Sequence, residues 1–327
     1  MSRVHALLLV ALVAVGIFPP QDQYLLTLFS EVAIYGLLAL SFDVAFGFGG
    51  MLSLAMALFY GLAAYTTAHV LISTELGVAG ALLLGILASA TGAFLLGLTT
   101  SRVKGAAFMI LTLIVVNAGY AWAQTNRQIT GGDDGITLKP DLLAIGGVPL
   151  ELVDRYRISI AILLIFYLLT VALVFSRFGR LAGAVKQNET RAIFLGLNVA
   201  AIRLTMFVWS GVLAGAAGGA YAVSFRHIHT GVLHWSISAE ALMHAFFGGL
   251  GTLAGPVIGA GVMTLLSEQV GRWIHVPHLV TGALLVLVIL FSPKGLLPLV
   301  LRLVDAVRFR KTLGSTPPPL VAREVRK

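Results

Sequence analysis

Ten apolar runs, each closed by a polar or glycine-rich break, occupy most of this 327-residue chain. They lie at residues 5–19, 24–46, 53–72, 77–99, 106–125, 158–175, 203–225, 239–250, 254–268 and 279–292. A helix needs roughly 20 apolar residues to cross a bilayer. The pattern therefore predicts an all-α, polytopic membrane bundle of about ten transmembrane helices, with residues 1–300 as the membrane domain and 301–327 as a basic, proline-rich tail. Residues 5–19, behind Arg3, read as a retained short first span rather than a cleaved signal.

Two longer polar segments interrupt the runs. Residues 126–157 contain TGGDDGI at 130–136 and then Pro140, Gly146, Gly147 and Pro149, a turn-rich composition that predicts a structured loop with a short helix or hairpin. Residues 176–198, SRFGRLAGAVKQNETRAIFLGLN, are polar yet helix-like. At about 100° per residue, Leu181, Val185, Ala192, Leu195 and Gly196 share one side, and Arg180, Lys186, Gln187, Thr190 and Arg191 the other. This is an amphipathic surface helix tethered between two spans. Periodicity alone leaves two roles open to it, resting on lipid headgroups or docking a cytosolic partner.

Composition agrees with a lipid solvent: 58% of residues are apolar and 11% charged. The absence of cysteine excludes disulfides and thiolate chemistry. A net charge of +8 could suggest nucleic acid, but its distribution has a topological cause. With ten spans, one set of alternate loops holds Arg102, Lys104, Arg177, Arg180, Lys186, Arg191, Arg203 and the Lys/Arg-rich tail. The other holds only Arg127, Lys139, Arg155, Arg157, Arg226 and Arg272. The positive-inside rule then places both termini and residues 176–198 in the cytoplasm and residues 126–157 outside. No nucleic-acid role is expected.

Candidate chemistry is sparse. The chain has no GxxxxGK[ST], HExxH or GxSxG, so an enzyme with its own ATP site, zinc-protease centre or serine nucleophile is not expected. His227, His229, His234 and His244 lack a companion carboxylate cluster and predict solvated histidines rather than a metal site. Gly211, Gly215 and Gly219, and again Gly251, Gly255 and Gly259, recur every fourth residue, a spacing that lets helices pack closely. The breaks FGFGG at 46–50 and FGGLG at 247–251 look alike and hint at an internal repeat of broken helices. Ionisable groups within spans are costly and informative: Glu31, Asp43, His69, Glu240 and His244. Glu240 and His244 are spaced to pair with each other. Asp43, Gly49, Gly50 and Asn117 are candidates for a translocation path. A self-sufficient ion-coupled transporter or channel built on Asp43 or Glu240 remains an alternative at this point.

The segments ALSFDVAFGFGGMLSLAMALFYGLAAYTTA (39–68), RVKGAAFMILTL (102–113), TGGDDGI, SRFGRLAGAVKQNETRAIFLGLN, FVWSGVLAGAAGGAYA (207–222), FFGGLGTLAGPVIGA (246–260) and SPKGLL (292–297) together resemble the LivM-type permeases of branched-chain amino acid ABC importers. The resemblance covers about residues 30–298. It implies a subunit of a bacterial inner membrane importer that carries branched-chain or other hydrophobic amino acids, or urea or an amide. It further implies a second related permease, two cytosolic ATP-binding subunits and an external solute-binding protein as partners. ATP would bind those partners, and no cofactor this chain. The resemblance makes 176–198 the coupling segment, with Phe178, Gly179, Arg180, Lys186, Glu189, Arg191, Ala192 and Gly196 as ATPase-coupling residues. Arg191 stands where the family usually has a small residue, and Asp43 where Asn is common.

Overall fold

The computed structural model describes residues 3–100, 103, 105–145, 148–271, 282 and 295–297. Twelve α-helices follow in chain order among them: α1 (Arg3–Ile17), α2 (Gln23–Phe42), α3 (Met56–Ser73), α4 (Gly77–Thr100), α5 (Gly105–Thr125), α6 (Arg127–Thr130), α7 (Leu152–Phe175), α8 (Arg177–Gln187), α9 (Glu189–Phe194), α10 (Val199–Phe225), α11 (Trp235–Gly248) and α12 (Ala254–Gly271). Among the described residues, six helices are long and apolar enough to cross a membrane: α2 with its extension to Phe48, α3, α4, α5, α7 and α10. The first, eighth and ninth expected spans are helical, as α1, α11 and α12, but are not among those six. The tenth expected span, 279–292, and the 301–327 tail lie outside the described residues.

Helix α10 packs against α2, α3, α4 and α7, and α2 against α7, α11 and α12. Small residues set the closest approach. A methyl built on Gly211 would lie 2.3 Å from Ala93 Cβ, and one on Gly215 2.5 Å from Ser89 Cβ. Ser89 also donates to the Gly211 carbonyl at 2.7 Å, so α4 and α10 share a buried hydrogen bond where lipid offers none. Gly255 and Gly259 hold α12 against α11, where added methyls would meet the carbonyls of Gly248 and His244. Gly251 departs from the expected helical ladder. It precedes α12 in the turn, at φ +73°, a conformation that favours glycine. Helix α1 lies along α7, tied by His5 Nδ1 with the Tyr167 hydroxyl at 2.7 Å and by the Tyr156 hydroxyl donating to Val15 O at 2.6 Å.

The polar segment after α5 is shorter than its composition predicts. Glu151 donates its N–H to Asp154 Oδ2 at 3.2 Å, which starts α7 at Leu152 and draws Arg155 and Arg157 into the helix. Arg155 is accommodated there by donating to Ser224 O on α10 at 2.6 Å. The loop holds a two-residue hairpin, β2 (Ala144–Ile145) with β3 (Val148–Pro149), counting β1 as Ile136–Thr137. Strand β1 pairs antiparallel with β4 (His227–Ile228), beyond α10, in register Ile136 with Ile228 and Thr137 with His227. TGGDDGI is therefore fastened to the α10–α11 connection, with Thr230 Oγ1 donating to Asp133 Oδ1 at 3.2 Å. Burial and the neighbouring His227 lower the pKa of His229 in this connection, so it stays neutral near pH 7.

Candidate functional site: a junction of two broken helices and the α8–α9 elbow

Helix α2 does not stop cleanly. From Asp43 to Phe48 its backbone widens into a π-helical turn, and Gly50 then reverses the chain at φ +68° toward α3. Asp43 is 0% exposed at the start of this turn. Its Oδ1 accepts the Gly251 N–H at 2.6 Å and its Oδ2 the Leu253 N–H at 3.3 Å. One carboxylate thus satisfies two backbone donors of the α11–α12 turn, of which the Leu253 N–H is buried. Leu253 holds φ +58°, a conformation costing a side-chain-bearing residue of order 1 kcal/mol or more. The two glycine breaks noted in the sequence meet here. Phe46 stacks on Phe246 with ring centroids 6.1 Å apart, and a methyl on Gly47 would lie 1.9 Å from Asp43 Oδ1.

The segment 176–198 reaches the same junction, in a shape the helical wheel does not predict. It is two helices rather than one. Asn188 ends α8 in an extended conformation and caps α9, accepting the Arg191 N–H at 2.9 Å. Ser176 caps α8 with its hydroxyl, and Gly179 lets the α7–α8 corner close, since a methyl there would lie 2.0 Å from Val174 O. Gly179, Ala182, Val185 and Ala192 are buried, and Phe178 packs on the core. The wheel places Lys186 among outward polar groups. In the fold its ammonium donates to the Gly47 carbonyl and its stem covers Gly50. Glu189 forms an ion pair with Arg203 at 3.6 Å, bracing α9 on α10.

The wheel also puts Leu195 on the inner face, and this is reversed. Gly196, at φ +76°, terminates α9 with its N–H on Ile193 O and the Leu197 N–H on Ala192 O, a Schellman closure. That closure turns out Ile193, Phe194 and Leu195, which are 57%, 86% and 71% exposed. Arg180 on α8 and Arg191 on α9 are exposed as well. An apolar ridge results, with Arg191 two residues before it.

Residues 24–293 match the family described as the branched-chain amino acid transport system permease component. The chain belongs to that family. Among its relatives, the high-affinity branched-chain amino acid transport system permease protein LivM of Salmonella typhimurium is 28% identical over 289 residues, 81% of this chain and 68% of the relative. The LivM protein of Escherichia coli K12 is 28% identical over 290 residues, with the same coverage. The permease protein LivH of E. coli K12 is 27% identical over 131 residues, 39% of this chain and 42% of LivH.

In this permease the junction gathers part of the residue set singled out from sequence. Asp43, Gly49, Gly50, Lys186 and Gly251 meet there. Phe178, Gly179, Arg180, Glu189, Arg191, Ala192 and Gly196 build the elbow beside it. Gly211, Gly215 and Gly219 lie on α10, away from it, at α4 and α3. Asn117 stands on the exposed side of α5, its amide donating to Leu113 O at 3.0 Å. Glu240 and His244 are not a self-contained pair: the Tyr35 hydroxyl bonds to Glu240, and His244 meets the Tyr35 ring edge-on at 5.5 Å. Leu253 escaped notice because only its backbone takes part. Among the described residues, no group of three His, Cys, Asp or Glu could hold a metal ion.

Proposed function

We propose that this permease is the membrane subunit of an ATP-driven importer of branched-chain or similar hydrophobic amino acids, and that α8–α9 is its cytoplasmic coupling element. The exposed ridge Ile193-Phe194-Leu195, wired through Lys186 to the break in α2, carries the reading. A ridge of that kind is the feature a separate ATP-hydrolysing subunit would grip. ATP is bound by two such cytosolic subunits, a second LivH-like permease completes the membrane part, and an external binding protein delivers the solute. Both termini face the cytoplasm, in the bacterial inner membrane.

Movement of the elbow pulls on Gly47 through Lys186. Asp43 passes that displacement to Gly251 and Leu253, so α2, α11 and α12 respond together. The α4–α10 contact, lined by small residues, lets one half slide against the other as the path alternates between the two sides.

Co-expression with the ATP-binding subunits tests this directly. Deleting residues 180–196, or introducing Phe194→Asp, is expected to abolish their co-purification and ATP-dependent leucine uptake in proteoliposomes. Uptake by the purified chain alone, driven by an ion gradient, would overturn the reading in favour of a self-sufficient transporter.

A further inference from the structure

Helix α5 is the span that its own fold holds least: 22% of its membrane window is buried, the lowest share among the six. Its buried residues Phe108, Thr112, Val116 and Ala123 recur at helical spacing along one side. There Thr112 Oγ1 accepts the Leu54 N–H at 3.1 Å, and Phe108 meets the Phe207 ring edge-on at 5.7 Å. On the opposite side Ala107, Ile110, Ile114, Asn117, Ala121 and Gln124 are all exposed. They follow one another at intervals of three, four, three, four and three residues, an unbroken heptad seam along nearly the whole helix.

The chemistry of this seam does not suit lipid. Helices α4 and α7 turn bulky apolar residues outward, Leu83, Leu87, Leu95, Ile165 and Leu169 among them. Helix α5 instead presents a carboxamide. Asn117 is the thirteenth of its 21 residues, roughly 18 Å along a helix of roughly 31 Å, and so lies near the middle of the hydrocarbon. Its Nδ2 is engaged with Leu113 O in the same helix at 3.0 Å. Its Oδ1 accepts no hydrogen bond among the described residues, and hydrocarbon offers it no donor. Between two helices, by contrast, an asparagine in a heptad seam forms an interhelical hydrogen bond and fixes the register. Ala107 and Ala121 leave room for a second backbone to approach. The depth of Asn117 decides the kind of occupant. A donor reaches Oδ1 at mid-bilayer only from another membrane-spanning helix, which excludes cytosolic and external subunits.

We propose that the Ala107–Gln124 seam of α5 is the contact with a membrane-spanning helix of the second permease, with Asn117 Oδ1 accepting a hydrogen bond from that helix. The proposal rests on the importer reading above, which supplies a LivH-like permease as the second membrane subunit.

The test co-expresses the full-length chain with the LivH-like permease and the ATP-binding subunits. The photoreactive residue p-benzoylphenylalanine is placed at Ile114, at Ala121 or at Trp122, which is exposed but off the seam. Irradiated membranes are expected to yield adducts with the second permease from positions 114 and 121 and none from 122. Ala121→Phe, which fills the seam, is expected to cut recovery of the second permease about tenfold or more. Asn117→Leu is expected to cut it about threefold, the share of one interhelical hydrogen bond, and Asn117→Gln to retain most of it. Because the seam is exposed in the isolated chain, none of these variants, purified alone, is expected to melt below the wild type. A lowered melting temperature, seam adducts only with lipid, with a second copy or within the chain, or full recovery of the second permease by both Ala121→Phe and Asn117→Leu overturns the assignment. Leucine uptake keeps the two readings apart. ATP-dependent uptake by the wild-type assembly without seam adducts sinks the seam alone, whereas loss of both uptake and wild-type co-purification sinks the importer reading and the seam with it.

Discussion

Asp43 shows how one side chain can decide a backbone path. Its carboxylate accepts from two backbone N–H groups of the α11–α12 turn, and Gly47 leaves the space it needs. Asp43→Ala leaves the buried Leu253 N–H without its acceptor and removes that of the Gly251 N–H, at a cost of about 1–3 kcal/mol or more. Asp43→Asn keeps one acceptor and is expected to fall between the two. Melting curves of the three purified proteins in one detergent check this ranking, and an alanine variant as stable as the wild type would contradict it. The sequence exposes Asp43 as an ionisable group beside a helix break. It hides the partners, because backbone N–H groups more than two hundred positions away carry no residue signature.

Among elements, the α8–α9 elbow separates two duties that a single helix would merge. Lys186 connects inward to α2, and the apolar ridge faces outward. Lys186→Met is therefore expected to leave ATPase association intact and to cut ATP-dependent uptake about tenfold or more, the loss of one charge-assisted hydrogen bond to a carbonyl. Loss of co-purification in this variant would place Lys186 at the subunit contact instead. The α4–α10 contact is governed by space: Gly215→Leu drives a side chain into Ser89 and is expected to destabilise by about 1–3 kcal/mol or more. Protease resistance of membranes carrying the variant measures it.

How much of each element could be read beforehand follows from the physics of the signals. Most spans declare themselves because every lipid-facing residue must be apolar, whereas the elbow depends on Asn188 preferring a cap to a helix interior. Pairing of β1 with β4 is two residues long on each side, below any periodicity a sequence displays. Glu240 and His244 were visible as a spacing, yet both turn to Tyr35 on α2, which nothing local marks.

For the whole molecule, charge asymmetry predicts an orientation that the absence of cysteine makes simple to test. Asp133→Cys in the TGGDDGI loop is expected to react with a membrane-impermeant maleimide added to intact cells. Ala184→Cys on α8 is expected to react only after the inner membrane is opened. The reverse pattern would invert the molecule and remove α8–α9 from the reach of cytosolic ATP.

The separation of Asp43 from Gly251 along the chain also constrains biogenesis. Helix α2 emerges from the ribosome long before the turn that completes it, so the carboxylate must wait in the bilayer, or at its edge, for residues made much later. Chains arrested before residue 250 should remain engaged with the insertion machinery or be recognised by membrane quality control, while chains released after α12 should leave both. The burial of Asp43 is thus completed only once the α11–α12 turn has been made.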